Sequence, residues 1–339
     1  MRGKVKKLAK NAELSKFTGI NGDNIPVSEL FDGNKRYNTF DMFMKKTFNK
    51  KVVKIALDIG STCPNLDGTI STKGCTFCTG GSGDFAFSGD IVESFIKGVE
   101  LVSKKWKDCY YMPYFQSYTN TYMSVDRLKR SVDTVISLPN VIGISIATRP
   151  DCISNDMLKY LADLSKQTYL IVELGLQSSK DDTLKLINRG HNYLQFIDCY
   201  NRLKQSGIKV CIHIVDGLIN ETKEDMLNTA KEIARLNPEF LKIHLLYFAA
   251  GTIDTLRLQN GDIKPLLKEE YIDILISQLE LISPKVVIER MTGDPDKSKL
   301  IAPKYITDKR GMLSSIDKEL HNRQTYQGRL YEKLNKEMI

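Results

Sequence analysis

The sequence predicts an α/β protein whose main body is a partial, open (βα)6 barrel of TIM type, with an N-terminal extension and a C-terminal α/β extension. Three observations support this fold class. Six short apolar runs of strand length occur between residues 52 and 246, helical patterns separate consecutive runs, and six such units are too few for a closed eightfold barrel. The length of 339 residues allows one large domain of this kind.

The predicted strands are apolar runs of six to eight residues, which alternate with amphipathic segments as in a parallel sheet with crossover helices. In chain order the strands are Val52–Leu57, Cys109–Phe115, Val141–Ala147, Tyr169–Leu174, Ile208–Val215 and Phe240–Leu246. The predicted helices carry apolar residues on one face. They are Ile91–Lys104, Val125–Ser137, Asn155–Lys166, Lys180–Leu186 with Tyr193–Gln205, and Lys223–Arg235.

We expect three segments along the chain. Residues 1–50 form a basic N-terminal extension, 51–248 the core barrel, and 249–339 a C-terminal extension that completes the site and contacts RNA. The elements predicted in the two extensions are a helix from Tyr37 to Phe48, a helix over Glu269–Ser283, a further strand over Pro284–Arg290, and a mostly helical, basic stretch over 312–338.

Positive charge is concentrated at the two ends of the chain. Residues 1–54 hold thirteen Lys and Arg against five Asp and Glu, and residues 297–339 hold ten against five, whereas the whole chain has a net charge of +8. Basic ends on an acidic middle indicate an anionic macromolecular partner such as RNA. A solvated, lysine-rich surface without a partner would give the same counts.

Hydropathy and cysteine usage indicate the compartment. No apolar run approaches the roughly 18 residues that a membrane helix needs, and no apolar secretory core follows the basic start. Seven cysteines, an odd number in a large chain, argue against a disulfide scaffold. We therefore expect no membrane association and a cytoplasmic location.

The segment with the clearest chemistry is the loop after the first predicted strand, which carries Cys63, Cys75 and Cys78. Three thiolates suit an iron–sulfur cluster, zinc or copper(I) better than hard cations. A structural zinc site and an all-cysteine 4Fe-4S cluster both need four ligands. With three, a 4Fe-4S cluster keeps one iron open, as S-adenosylmethionine chemistry requires. A zinc site or a redox-active C-x-x-C pair remains an alternative at this point.

Polar residues lie near or after the carboxyl ends of five of the predicted strands, at the edge where a barrel of this type places its site. These groups are Gln116–Asn120, Thr148–Cys152, Glu173–Gln177 with Asn188–His191, His213 and His244. Any one of them could instead be a helix cap, a turn former or a satisfied core group. Cys109, Cys199 and Cys211 lie inside strand or helix patterns, where we expect them to be buried apolar groups.

Together these motifs resemble the radical S-adenosylmethionine enzymes, and within them the YhcC-like group, which is related to the radical subunit of Elongator. The resemblance runs from about Arg36 to Glu319. The phrases that carry it begin at Leu57 (LDIGSTCPNLDGT), Gly74 (GCTFC), Phe115 (FQSYTNTY), Thr148 (TRPD), Glu173 (ELGLQS), Ile187 (INRGH), Lys242 (KIHLL) and Ile288 (IERMTGD).

The resemblance implies residue roles. Cys63, Cys75 and Cys78 match the ligands of one 4Fe-4S cluster. The stretch from Gln116 to Asn120 stands where relatives bind the methionine amino group of S-adenosylmethionine. Gln177 resembles a glutamine that contacts the ribose, and Arg189 an arginine that pairs with the methionine carboxylate. On the substrate side, the catalytic candidates are Asp151, Cys152 and His213.

There are two departures from the pattern of the relatives. Some carry Glu before Thr-Arg-Pro, where this chain has Ala147. The loop after the fifth strand usually reads Gly-Leu-Pro-Gly-Glu-Thr, whereas here it runs Gly-Leu-Ile-Asn-Glu-Thr over residues 217–222.

The implied function is reductive cleavage of S-adenosylmethionine to a 5′-deoxyadenosyl radical, with flavodoxin or ferredoxin as electron donor. The resemblance points to tRNA as the substrate, at a wobble uridine side chain of the 5-aminomethyl type. One alternative is a radical enzyme that acts on a peptide or a small metabolite. Another, from a different class, is a zinc-stabilised RNA-binding module without catalysis.

Overall fold

The computed structural model describes residues 31, 35–79, 81 and 86–338, so most of the predicted basic extension over residues 1–50 lies outside the described residues. The described part contains nine strands. They are β1 Lys51–Leu57, β2 Cys109–Phe115, β3 Gly143–Thr148, β4 Tyr169–Gln177, β5 Lys209–Asp216, β6 Phe240–Leu245, β7 Phe248–Ala249, β8 Val287–Arg290 and β9 Leu300–Ala302. Seven of these strands form one parallel sheet in the order β1-β2-β3-β4-β5-β6-β8, and β7 pairs with β9 in a small antiparallel sheet.

Eleven α-helices accompany the strands in the described residues. They are α1 Phe40–Phe48, α2 Ile91–Ser103, α3 Val125–Ile136, α4 Asn155–Gln167, α5 Asp181–Leu186, α6 Tyr193–Gln205, α7 Lys223–Leu236, α8 Ile253–Asn260, α9 Lys268–Leu281, α10 Lys309–Asn322 and α11 Tyr331–Met338. Side-chain caps fix the start of several crossover helices. Ser124 and Ser154, for example, accept hydrogen bonds from the first turns of α3 and α4.

The parallel sheet curls into a half-barrel, which confirms the predicted fold class of a partial, TIM-like α/β barrel. All six predicted strands are present, and the suggested further strand is confirmed as β8. The largest differences lie at three strand ends, and one of them is that β8 begins at Val287 rather than at the predicted Pro284. β3 begins at Gly143 rather than Val141, since Val141 makes only an isolated bridge to Tyr111. β4 continues past Leu174 to Gln177 through a bulge that sequence patterning does not reveal.

Helix α1 packs at the amino ends of the strands. Phe40 and Phe43 contact the Phe240 ring edge-on, at centroid distances of 6.1 and 5.5 Å. The backbone before α1 also pairs with the last strand of the sheet, where Ile288 N donates to Asn38 O at 2.7 Å. A buried apolar cluster around Met44 fills this end of the barrel. The open end of the barrel is therefore the one formed by the carboxyl ends of the strands.

The main core lies between the sheet and the helices that surround it. Apolar residues on the helix-facing side of β1 to β6 contact one face of each crossover helix, and residues of α9 and α10 extend the same core. The helices thus bury the outer face of the parallel sheet, and the cluster around Met44 covers its inner face at the amino ends of the strands. No helix in the described part of the chain combines the length and the apolar character needed to cross a membrane.

Candidate active site

The three predicted ligand cysteines lie on the loop that follows β1 and line one cavity at the carboxyl ends of the strands. Tight backbone geometry shapes this loop. Gly74 has φ of +68°, and a Cβ at this position would lie 2.8 Å from Leu66 Cδ2. Only glycine adopts this backbone conformation without a clash against Leu66, so Gly74 sets the backbone direction just before Cys75. Cys75 is buried, whereas Cys63 and Cys78 are partly exposed.

The turn after α5 holds the cysteine loop in place. Asn188 donates from Nδ2 to Gly74 O at 2.7 Å, and its own carbonyl accepts from Asn65 Nδ2 at 2.5 Å. Thr76, between two of the cysteines, donates from its backbone N to Ile187 O at 3.0 Å. Asn188 has φ of +52°, a conformation that asparagine tolerates better than most residues. The Asn-Arg-Gly-His motif therefore supports the loop as well as supplying Arg189.

The spacing of the thiols separates the metal alternatives. A tetrahedral zinc site with Zn–S bonds near 2.3 Å places its sulfurs about 3.8 Å apart. Within the described ranges, the one trio of potential ligands whose atoms all lie within 4.8 Å of one another is Glu173, Cys211 and His213. The loop thiols are spread more widely than that. They therefore do not form a compact mononuclear site in the described part of the chain.

Cationic and amide donors surround the Cys75 sulfur. Asn65 Nδ2 and Arg189 Nη1 each lie 3.6 Å from Cys75 Sγ. Arg149 lines the cavity beside them and is held by Asp151. Burial disfavours the Arg149 charge, but Asp151 and the Cys75 and Cys63 thiols raise the pKa of this guanidinium above its usual value. Such a setting favours an anionic group at the thiols.

Gln177 and Arg189 meet over Gly175, near the end of β4. A Cβ on Gly175 would lie 2.5 Å from Arg189 Nη2 and 2.9 Å from Gln177 Nε2, so only glycine leaves room for both side chains. Arg189 Nη2 donates to Gly175 O at 2.7 Å, while its Nε is buried without a partner. Gln177 has φ of +80°, a strained conformation for a residue with a side chain. Together these features form a polar cradle open to the cavity.

The structure brings seven of the ten predicted site residues to the cavity wall. They are Cys63, Cys75, Cys78, Gln116, Gln177, Arg189 and His213. Asn120 is fully buried instead. Its Nδ2 donates to the carbonyls of Phe115, Ser117 and Ala147, and its Oδ1 accepts from Ser61 Oγ at 2.7 Å. Asn120 thus ties β2, the loop after it and β3 together, and its amide nitrogen is fully engaged within the protein.

Asp151 and Cys152 lie one layer away from the cavity wall. Asp151 accepts from Arg149 Nε and Nη2 at 3.0 and 2.8 Å. Burial and the neighbouring Asp151 raise the pKa of the Cys152 thiol to about 12, so this thiol stays protonated. Their substrate-side roles remain predictions. As expected, Cys109, Cys199 and Cys211 are buried.

Sequence reasoning missed a charged layer beneath the cavity. Glu173 on β4 is 1% exposed and lies 2.7 Å from Lys54 Nζ, and Lys242 also contacts it. Lys54 lies 2.7 Å from Glu289 on β8. Although burial opposes its charge, Lys242 and Lys54 lower the pKa of Glu173 well below its usual value. The available signal was a charged residue within the apolar pattern of each of four separate strands.

Two imidazoles lie above this charged layer. His213 Nε2 lies 2.7 Å from Glu173 Oε2, and the His213 and His244 rings are 5.3 Å apart between centroids. Burial and the Lys242 charge lower the pKa of His213, while burial and His213 lower that of His244 well below its usual value. Both rings are therefore neutral at pH 7. Together with Arg290 they line the side of the cavity away from Arg189.

Comparison with known proteins agrees with this geometry. Residues 68–233 match the model of the Radical SAM superfamily, and residues 238–322 match the Radical_SAM C-terminal domain. The chain is 42% identical to the uncharacterized protein YtqA of Bacillus subtilis over 306 residues, which cover 89% of this chain and 95% of YtqA. It is 31% identical to protein YhcC of Escherichia coli, over 85% of this chain and 93% of YhcC.

More distant similarities extend the relationship. Over 150 residues the chain is 34% identical to a tRNA uridine(34) acetyltransferase of Methanocaldococcus infernus, covering 43% of this chain and 27% of that protein. The structure of Elp3 from the same archaeon, with an N-terminal deletion, superposes with a TM-score of 0.63 at 19% identity, covering 83% of this chain and 67% of that one. At that identity the superposition shows a shared fold.

Enzymes of the Radical SAM superfamily bind a 4Fe-4S cluster and S-adenosylmethionine, and the residues present fit both groups. Three thiols face one cavity, and two guanidinium groups beside them each keep a buried nitrogen without a partner. Such donors suit an anionic cluster and a carboxylate. The alternative of a zinc-stabilised module without catalysis is wrong. From the sequence matches, the half-barrel and this site, the chain belongs to the radical S-adenosylmethionine superfamily of enzymes.

Proposed function

We propose that this protein modifies tRNA at the wobble uridine, on a side chain of the 5-aminomethyl type. One observation carries the proposal: the chain is similar to a protein named for its action on uridine 34 of tRNA, and it shares the Elp3 fold. When bound, the cluster and S-adenosylmethionine supply a 5′-deoxyadenosyl radical that abstracts hydrogen from the substrate. The protein binds, orients and shields these groups.

We assign cofactor binding to one side of the cavity and substrate binding to the other. On one side Cys63, Cys75 and Cys78 hold the cluster, while Gln116, Gln177 and Arg189 hold S-adenosylmethionine. On the other side His213, His244 and Arg290 contact the substrate. Neutral His244, whose Nε2 has no partner among the described residues, can donate one hydrogen bond to a uracil oxygen without adding charge. Neutral His213 gives its one N–H to Glu173, so its other ring nitrogen can only accept. The apolar cluster around Met44 closes the opposite end of the barrel.

The C-terminal segment supplies the RNA contacts. Exposed basic residues occur along and before α10, and clustered positive charge gives affinity for phosphates without sequence preference. These residues are Lys297, Lys299, Lys304, Lys309, Arg310 and Lys318. Because phosphate contacts release counterions, tRNA binding should weaken steeply as salt rises, whereas the affinity for a small metabolite should not.

The electron for S-adenosylmethionine cleavage comes from flavodoxin or ferredoxin in this proposal. The cluster loop is close to solvent, since two of its three cysteines are partly exposed. Such a cluster needs a reducing compartment, and all seven cysteines are free thiols. We therefore assign the protein to the cytoplasm.

The test is nucleoside mass spectrometry of bulk tRNA from a strain that lacks this gene, beside its parent and a complemented strain. We expect one wobble-uridine derivative to disappear and its precursor to accumulate. Complementation with a Cys75→Ala variant should not restore it. Identical profiles in parent and deletion strain would contradict the tRNA assignment and favour a peptide or metabolite substrate for the same radical chemistry.

A further inference from the structure

Arg149 differs from the other buried cations of the cavity in how it is paired. Its Nε and Nη2 donate to the two oxygens of Asp151 at 3.0 and 2.8 Å, and its side chain is 3% exposed. The third nitrogen, Nη1, is buried and has no hydrogen-bond partner among the described residues. A buried donor without an acceptor costs free energy, which indicates that a bound group supplies the acceptor.

The surroundings of Arg149 identify that group. Arg149 lines the cavity together with Cys63 and Cys75. Gly190, with φ of +80°, makes the approach possible, because a Cβ there would lie 3.0 Å from Arg149 Nη2. Asn65 already donates to Cys75 Sγ, which shows that this corner of the site presents N–H groups to sulfur. The acceptor that belongs among these thiols is an iron–sulfur cluster.

We propose that Arg149, held by Asp151, donates from Nη1 to a sulfur of the 4Fe-4S cluster and raises the reduction potential of the cluster. Reduction adds one negative charge to the cluster. A guanidinium group beside it stabilises the reduced form more than the oxidised form, and hydrogen bonds to cluster sulfurs act in the same direction. Asp151 acts in the opposite sense, because its carboxylate partly offsets the guanidinium charge.

This assignment makes Arg149 and Asp151 positioning residues for electron uptake and does not depend on the identity of the substrate. It predicts opposite effects for two variants of one ion pair. Arg149→Gln removes the cation and should make the cluster harder to reduce. Asp151→Asn keeps the guanidinium, removes its counter-charge and should make the cluster easier to reduce. A purely structural role would give both variants the same defect.

The experiment is a redox titration of the anaerobically reconstituted full-length protein, followed by the electron paramagnetic resonance signal of the reduced cluster. For Arg149→Gln we expect the ratio of oxidised to reduced cluster at a fixed potential to rise at least tenfold. This corresponds to a midpoint potential lower by about 59 mV for a one-electron couple. Arg149→Lys keeps the charge but loses the fork geometry and should shift less. Arg130→Gln, which removes an exposed arginine on α3, is the matched control and should not shift.

Iron and sulfide contents are measured on the same samples. A full complement of iron in Arg149→Gln with an unchanged midpoint potential would overturn the proposal. If Arg149→Gln binds less iron, the midpoint potential of Asp151→Asn tests the proposal instead. A higher midpoint potential in Asp151→Asn at full iron content supports the proposal. A lower or unchanged midpoint potential in that variant overturns it.

Discussion

Lys54 and Glu289 join the two edge strands of the open sheet. The Lys54 ammonium nitrogen lies 2.9 and 2.7 Å from the two carboxylate oxygens of Glu289, and these residues belong to β1 and β8, the first and last strands in the sheet order. Lys54 also contacts Glu173 at 2.7 Å, in the middle of the sheet. An ion-pair layer therefore spans the inside of the half-barrel, directly under the cavity.

This layer gives a stability prediction. Lys54→Met leaves Glu289 and Glu173 buried with one remaining ammonium, that of Lys242, between them. Removing one partner of a buried pair costs about 3–5 kcal/mol in the free energy of unfolding, because an uncompensated charge stays behind. Urea denaturation measures the change. The control is Lys45→Met, whose exposed pair with Asp41 should contribute under about 1 kcal/mol. Equal effects of the two variants would refute the structural importance of the layer.

The cysteine loop gives a prediction about metal content. Replacing Cys63, Cys75 or Cys78 with Ala should each remove most of the iron and the brown colour from anaerobically purified protein, since two thiolates hold a cluster poorly. Cys199→Ala is the matched control. That thiol is buried inside α6, so the variant loses some stability but keeps its iron. Full iron content in any one of the three loop variants would show that its thiol is not a ligand.

Gly175 gives a prediction about cofactor affinity. A Cβ at this position would push against Arg189 and Gln177 at 2.5 and 2.9 Å. Gly175→Ala should therefore weaken binding of S-adenosylmethionine at least tenfold, or about 1.4 kcal/mol, at unchanged iron content. Anaerobic calorimetry on the reconstituted protein measures this affinity.

The control for that variant is Gly207→Ala, which separates strain from a blocked site. Gly207 has φ of +72°, and a Cβ there would meet nothing within 4 Å. The substitution should cost about 1 kcal/mol of stability and leave the affinity unchanged. An unaltered affinity in Gly175→Ala would mean that Arg189 and Gln177 do not bind the cofactor in this arrangement.

The sequence was sufficient to predict the order of strands and helices, because each strand is an apolar run and each crossover helix has one apolar face. It also predicted which loop carries the thiols. It could not predict which charges meet inside the barrel. The pairing of Lys54 with Glu289 depends on the two edge strands approaching across the open side, and their residues are 235 positions apart. The role of Asn120 was also hidden, since carbonyls from the end of β2, the loop after it and β3 converge on its amide.

A buried carboxyl at the carboxyl end of β5 gives a prediction about pH. Asp216 is 1% exposed, and its Oδ1 accepts from Gln278 Nε2 at 2.8 Å, while its Oδ2 and Gln278 Oε1 are both buried without partners. A proton on Oδ2 gives Asp216 a donor that can serve Gln278. Burial raises the pKa of Asp216 to about 8, so this carboxyl is protonated at pH 7 in the folded protein.

The direction of the pH effect follows from the raised pKa. In the unfolded chain Asp216 ionises near pH 4, whereas in the folded protein it keeps its proton until about pH 8. Its contribution is thus fully present below pH 4 and is lost as pH rises toward 8. Asp216→Asn carries an amide that cannot ionise and can donate to Gln278. We expect its melting temperature to exceed that of the wild type at pH 8 and the difference to shrink at pH 5. Lower stability of the variant at both pH values would show that Asp216 is ionised in the folded protein.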